Sequence, residues 1–342
     1  MMKSKENSLK ISAAFNWVNR LFSTGRETSH PFWLIVEKEI SDHVRSLRFV
    51  IMVALIGLTS AATVYLAMSG LKDAIKPSDP EGSFLFLKLF TVSDGAIPSF
   101  HIFIGFLGPL LGISMAFDSI NSELGKGTMS RLLAQPIHRD YIINAKFVAA
   151  IIVITGLFLC LSLLVTGWGI LKIGILPTFS EFCRILALTA LNVLYVSFWL
   201  NLSIYFSIRF KQPSTSALAC IAVWLFVTVF YGMLVSLIAR SIAPSEFAMP
   251  NQIIAYQKFV QGLGRLVPSQ LFSDACTTLL MPSVRSLGPL TMEQLHGAIP
   301  SPLGLGQSLL VVWPQLTGLT AATVVCFALS YRSFMRKEIR SR

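Results

Sequence analysis

Six long apolar stretches, separated by charged or turn-forming segments, set the rhythm of this sequence. They cover residues 49–68, 97–117, 147–171, 185–208, 214–239 and 309–331, and none contains Asp, Glu, Lys or Arg. A helix needs about 20 apolar residues to cross roughly 30 Å of hydrocarbon. Inside lipid every backbone polar group must be satisfied within the segment, so runs of this length predict spanning α-helices. Barrel strands would be about ten residues long and alternating. The pattern therefore predicts an all-α polytopic membrane protein with six transmembrane helices.

The segments between the spans carry their own patterns. Trp33, Val36, Ile40, Val44 and Leu47 recur at steps of three and four, with Glu37, Lys38, Asp42 and Arg45 on the other faces and Pro31 suited to a first turn. This predicts an amphipathic helix over 31–47, lying in the headgroup plane or packed on a partner. Residues 70–96, with Pro77, Pro80, Gly82 and Gly95, read as an external loop with a short interfacial helix at 84–90. The short 172–184 connection makes spans three and four an antiparallel hairpin. Residues 240–308 are rich in Pro and Gly and read as a partly helical external cap, with helices at 251–262 and 269–280, the second capped by Ser269. The expected organisation is an N-terminal segment (1–30), the interfacial helix (31–47), spans one to five (48–239) interrupted by a charged loop (118–146), the external segment (240–308), and span six with a basic tail (309–342).

Composition narrows the class. Hydrophobic residues make up 54% and charged residues only 13%, against about 25% in soluble domains, which argues against a soluble α/β enzyme. The net charge of +11 is not the basic, aromatic-interleaved stripe of a nucleic-acid binder. About two-thirds of the 28 Lys and Arg fall on the side holding both termini and the 118–146 and 209–213 loops. Both termini are therefore expected in the cytoplasm, with the chain in the plasma (inner) membrane. No short apolar region precedes the first span, which is expected to act as its own insertion signal. Cys160, Cys183, Cys220, Cys276 and Cys326 form no metal-binding or redox spacing and read as packing residues.

Missing chemistry is equally informative. There is no GxxxxGK[ST] phosphate loop: Gly125-Lys126 has Ile120 where the first Gly belongs. HExxH and GxSxG are absent, so the chain is not expected to be an enzyme or to bind a cofactor or metal. The spans hold no buried carboxylate or amine, which argues against ion-coupled transport. His101, near a helix end, reads as a hydrogen-bonded interfacial residue, with a relay or ligand as the alternative. Asn201-Leu-Ser203 lies inside a span and is no glycosylation site. Thr59, Thr63, Asn192, Tyr195 and Asn201 either line a pathway or bond between helices. Ala61, Ala62, Gly105, Gly108 and Gly112 permit close helix contact, and Gly108-Pro109 is expected to bend span two.

The 118–146 loop carries the most specific signal. It holds Asp118, Glu123, Lys126, Arg131, Arg139 and Lys146, with Ile120, Leu124, Met129, Leu132 and Leu133 spaced among them. Gly125 and Gly127 break it before Thr128, a possible cap, and Pro136 separates it from the helix leading into span three. This predicts a helix–break–helix that sits in a groove on a soluble partner and moves two spans; the bland alternative is a solvated loop. The run Phe117-Asp118…Glu123…Gly127-Thr128…Leu132-Leu133-Ala134-Gln135-Pro136-Ile137…Arg139…Lys146 resembles the signature of ABC-2 type permeases, the membrane subunits of type V-like ABC exporters. Many members place Arg where this chain has Leu124.

That resemblance implies two paired permeases, the same chain or a paralogue, each docked on a cytoplasmic ATPase subunit that binds ATP and magnesium. The helix before span one and the coupling helix between spans two and three would contact the ATPase. Carried onto this chain, the coupling residues are Glu37, Asp118, Glu123, Gly127, Thr128, Arg131, Pro136 and Arg139, with Glu123 and Arg131 pairing with the partner. Export of a hydrophobic or amphipathic compound is the implied activity, with membrane lipids but no nucleic acid as further partners. The competing readings are an ion-driven secondary carrier and a non-transporting scaffold or sensor that binds a partner through 240–308.

Overall fold

A computed structural model of the chain describes residues 30–69, 84–91, 98–244, 249–283 and 303–337. The expected N-terminal segment before residue 30, the loop at 70–83, the stretch at 284–302 and the tail from 338 lie outside the described residues. All described elements are helical: α1 (Pro31–Arg45), α2 (Leu47–Ser69), α3 (Leu85–Thr91), α4 (Phe100–Ala116), α5 (Asn121–Gly125), α6 (Thr128–Leu133), α7 (Arg139–Ile173), α8 (Phe179–Arg209), α9 (Pro213–Leu225), a π-turn (Phe226–Phe230), α10 (Tyr231–Ser241), α11 (Pro250–Gly264), α12 (Pro268–Leu280) and α13 (Leu305–Arg336). Six stretches are long and apolar enough to cross a membrane: α2, α4 with its continuation to Gly125, α7, α8, α9 through α10, and α13.

The fourth span, α8, is the hub. It packs against α4, α7, α9, α12 and α13 and buries Leu188, Tyr195, Trp199 and Leu200. Its start is fixed by a capping box, in which the Thr178 hydroxyl accepts from the Glu181 N–H while the Glu181 carboxylate accepts from the Thr178 N–H. The α4 backbone approaches closely at Gly112, where a Cβ would stand 2.8 Å from the Val196 carbonyl oxygen and 3.0 Å from the Leu200 nitrogen. Small residues at this contact are what the sequence predicts.

Three elements differ from expectation. The short helix α3 is not surface-lying: Phe86, Leu87, Leu89 and Phe90 are buried among α2, α4, α7 and α8. It fits because α7 carries Gly169, where a Cβ would fall 2.7 Å from Leu89 Cδ1. The fifth span is interrupted by the π-turn, which no Pro or Gly within 226–230 announces. In the 240–308 segment, α11 lies on α10, with Tyr231 and Tyr256 donating to the Leu263 and Ala239 carbonyls, while α12 is a wedge between α4, α8 and α13 rather than a lid above them.

Burial within the chain is uneven. In the spanning windows, 61% of α4 and of α8 is buried, against 22% of α2, 22% of α13 and 11% of the fifth span. The lightly covered helices present Leu58, Tyr65, Phe230, Met233 and Leu237 outward, surfaces suited to lipid or to another membrane helix.

Candidate functional site at the hairpin end of the bundle

The site is built where α1, the α5–α6 hairpin and the start of α7 meet. His30 caps α1, its Nδ1 accepting from the Phe32 N–H, and Pro31 opens the first turn. The predicted amphipathic helix is present, and it lies along α7. Ile35 and Val36 pack on Ala145 and Ala149, flanked by Phe32, Tyr141 and Val148. Trp33, Leu34 and Leu47 remain exposed.

The inward face of α1 also carries a carboxylate that the periodicity does not single out. Glu39 is 7% exposed and accepts from Lys146 Nζ at 3.0 Å; Lys146, itself 6% exposed, also donates to Glu123 Oε1 at 2.7 Å. Lys38 closes the cluster, 2.8 Å from Glu39, 3.1 Å from Asp42 and 3.8 Å from Glu123. Burial alone would raise the Glu39 carboxyl, but Lys146 and Lys38 outweigh it and hold the group below its usual range. Burial lowers the Lys38 ammonium, and the surrounding carboxylates reverse that and raise it. Burial pushes the neighbouring His43 imidazole down. One ammonium thus joins α1, α5 and α7, and its removal would leave the largely buried Glu39 and Glu123 to the half-exposed Lys38 alone. Glu123 is expected to pair with a partner; here it is engaged inside its own chain.

The hairpin is held just as specifically. Ser207 on α8 accepts from the backbone N–H groups of Ile120 and Asn121 at 3.0 and 3.2 Å, fixing the start of α5. Gly127 adopts φ 70°, the left-handed conformation that lets the chain reverse between α5 and α6. Thr128 does not cap α6. Its hydroxyl donates back across the break to the Glu123 carbonyl at 3.2 Å. Met129 is fully buried, whereas Lys126, Arg131, Gln135 and Pro136 face outward. An open cleft of about 480 Å³ lies between α1 and α6, lined by Leu34, Ile35, Leu132, Gln135 and Pro136.

The eight predicted coupling residues therefore fall into two groups. Glu37, Gly127, Thr128, Arg131 and Pro136 are exposed on the outer surface. Asp118, Glu123 and Arg139 work inward. Asp118 pairs with Arg48 at 2.7 Å, and that guanidinium lies 4.8 Å from the Phe117 ring centroid. Arg139 donates to the carbonyls of Phe334 and Lys337 and stacks over Phe334, tying the start of α7 to the end of α13.

Four of the five predicted polar residues of the spans make hydrogen bonds between or within helices. Tyr195 donates to the Gly105 carbonyl at 3.1 Å and stacks on Phe272 with centroids 4.2 Å apart. Asn201 donates to the Thr323 carbonyl, and Ser330 donates to the Asn201 carbonyl. Asn192 is buried with its carbonyl oxygen unpaired. Thr59 and Thr63 bond to carbonyls of their own helix. His101 Nδ1 lies 3.1 Å from the Phe90 carbonyl, to which it can only donate, and 3.1 Å from the Ser99 hydroxyl.

At the opposite end, sequence reasoning missed a second constellation. Arg184, the last residue of the 172–184 connection read from the sequence, is completely buried on the first turns of α8. It donates to the Leu279 carbonyl at 3.0 Å, to Ser308 Oγ at 3.1 Å and to the Leu303 carbonyl at 2.7 Å. One turn earlier, Glu181 accepts from the Phe86 N–H at 2.9 Å. The Thr178-x-x-Glu181 spacing was the available signal.

Among known protein families, residues 33–339 match the one described as "ABC-2 family transporter protein". The chain is also similar to the "Probable ABC transporter permease protein NosY" of Stutzerimonas stutzeri, 30% identical over 219 residues, which cover 61% of this chain and 71% of that protein. The protein of the same name from Pseudomonas aeruginosa is 26% identical over 207 residues, 59% of this chain and 68% of that protein.

Proposed function

Because this chain belongs to the ABC-2 family of transporter proteins, we propose that it is the permease of an ATP-driven exporter, paired with a second permease and with cytoplasmic ATPase subunits. Those subunits bind ATP and magnesium; this sequence has no glycine loop for a phosphate. The observation that carries the reading is the two-sided build of the α1–α5–α6 surface. Its outer side offers Glu37, Lys126, Arg131 and Pro136 beside an apolar cleft. Its inner side is locked to the spans by Lys146, Asp118 and Ser207. A partner that closes on this surface moves spans, not a loose loop.

The thinly covered faces of α2 and the fifth span supply the contact with the second permease. The substrate is hydrophobic or amphipathic. A groove of about 590 Å³ opens toward lipid between α2 and α7, lined by Gly57, Ser60, Val64, Leu164 and Trp168, and gives such a molecule lateral access.

The test is co-purification of the tagged chain from its native membrane. A nucleotide-binding subunit should be recovered with the wild-type chain, and Arg131→Glu should weaken its retention on the order of tenfold. Repeated recovery of the intact chain without such a subunit would refute the reading.

A further inference from the structure

At the hairpin end of the bundle, Lys38, Arg48 and Lys146 each meet a carboxylate within 3.1 Å, while Lys126 and Arg131 face outward on the partner-facing surface. The end of α8, the α8–α9 turn and the end of α13 present Arg209, Lys211, Arg332 and Arg336, all exposed. No Asp or Glu occurs between residues 182 and 244 or between 303 and 337, and none of these four cations forms an ion pair among the described residues. Asp140, beside Arg139 in the first turn of α7, pairs with none of them there. The next acidic residue in sequence, Glu338, lies outside the described residues.

The floor beneath these cations is built. Lys337 donates through Nζ to the Ile208 carbonyl, and Arg139 donates to the Phe334 and Lys337 carbonyls, so the ends of α7, α8 and α13 are drawn together by cations that meet only neutral oxygens. Burial, and then repulsion from Arg209 and Lys211, pushes the Lys337 ammonium below its usual range, as crowding of like charge without a counter-ion should.

The depth of the belt identifies what neutralises it. α8 has 31 residues and α13 has 32, about 46–48 Å at 1.5 Å per residue, so helices that cross roughly 30 Å of hydrocarbon extend into the headgroup layer. Beside the cations lie two aromatic groups, Tyr205 and Phe210 each in ring contact with Phe206 at the end of α8, and Phe327 with Tyr331 on α13, residue types that favour the membrane interface.

We propose that the belt formed by Arg209, Lys211, Arg332 and Arg336 binds the phosphate headgroups of anionic phospholipids in the leaflet on the hairpin side. The guanidinium groups offer forked donors to phosphate oxygens, and the neighbouring aromatic rings pack on the glycerol and upper acyl region. The inference needs the six spans but not the ATPase, so it stands or falls separately from the transport reading.

The test is native mass spectrometry of the full-length chain in a neutral detergent, titrated with phosphatidylglycerol, with phosphatidylcholine, or with soluble glycerol phosphate. The wild-type chain should retain phosphatidylglycerol in preference to phosphatidylcholine, lose it as salt rises, and bind glycerol phosphate far more weakly. Replacing all four cations by Gln should lower retention by about fivefold for each cation removed. The lysine-conserving variant Arg209→Lys/Arg332→Lys/Arg336→Lys should keep most of it, and Lys172→Gln/Arg240→Gln, in cations at the opposite ends of spans, should change nothing. Equal retention of the two lipids by the wild-type chain overturns the proposal without any variant having to fold. So does a four-Gln variant that keeps its phosphatidylglycerol but loses a co-purifying ATPase subunit, which would assign the belt to an acidic protein surface.

Discussion

Lys146 is the residue on which most charge depends. It is 6% exposed and pairs with both Glu39, at 3.0 Å, and Glu123, at 2.7 Å. Replacing it by Met should cost about 2–4 kcal/mol, because two largely buried carboxylates then share the half-exposed Lys38 as their counter-charge. The expected result is a large fall in thermal stability in detergent, partly recovered when Glu39→Gln is added; an unchanged melting temperature would sink this account. The same cluster sets a pH dependence. His43 and Glu39 are both held below their ordinary values of 6.5 and 4.5. In each case the unfolded chain binds the proton more readily, so stability is full above the ordinary value and is lost as pH falls through the lowered one. Stability should therefore begin to fall below pH 6.5 through His43 and fall further below pH 4.5 through Glu39. A melting curve that is flat from pH 7 to pH 4 would contradict both signs. None of this was legible in the sequence, because Glu39 and Lys146 are far apart in the chain and nothing local marks them as partners. The close approach at Gly112 was legible: a methyl there meets α8 backbone, so Gly112→Ala should cost about 1–3 kcal/mol, whereas Gly57→Ala, with open space around it, should be silent.

Among the elements, the hairpin shows why local pattern succeeds where distant pairing fails. Its break was readable from Gly125 and Gly127, but the two glycines are not equivalent. Only Gly127 has positive φ, and the space around both is open. Gly127→Ala should thus cost about 1–2 kcal/mol through backbone strain alone, while Gly125→Ala should cost nothing or stabilise slightly. Melting temperatures of the two variants separate the cases, and equal shifts would mean that the turn can relax. The spans, the helix at Pro31–Arg45, and the helices Pro250–Gly264 and Pro268–Leu280 were likewise readable, since periodicity and flanking Pro are local signals. What escaped was where an element goes once formed. α3 has the composition of an interfacial helix and is buried instead, because Gly169 on a distant helix makes room for it. Thr128 has the type and position of a cap, yet Gly127 takes the cap position and the Thr128 hydroxyl instead donates to the Glu123 carbonyl.

For the whole molecule, the decisive feature is that α8 is one continuous helix touching both functional ends. At one end Ser207 holds the entry to the hairpin; at the other Glu181 and Arg184 hold α3, the end of α12 and the start of α13. A displacement imposed at the hairpin can therefore reach α12 without passing through a flexible segment, which is the kind of contiguous rigid element that coupling between distant sites requires. Arg184 is the contact to interrupt, since its guanidinium meets two carbonyls and a hydroxyl and pairs with no carboxylate among the described residues. Replacing it by Met should loosen the 268–280 region by roughly 1.5–3 kcal/mol, seen as ten- to hundred-fold faster amide exchange there. Arg184→Lys should recover only part, because one ammonium cannot reach acceptors that a planar fork spans. The same Met variant should still bind its ATPase subunit, because the hairpin surface is untouched, while ATP turnover should no longer respond to substrate. Loss of subunit binding in that variant, or unchanged exchange over 268–280, would show that the two ends are not joined through α8.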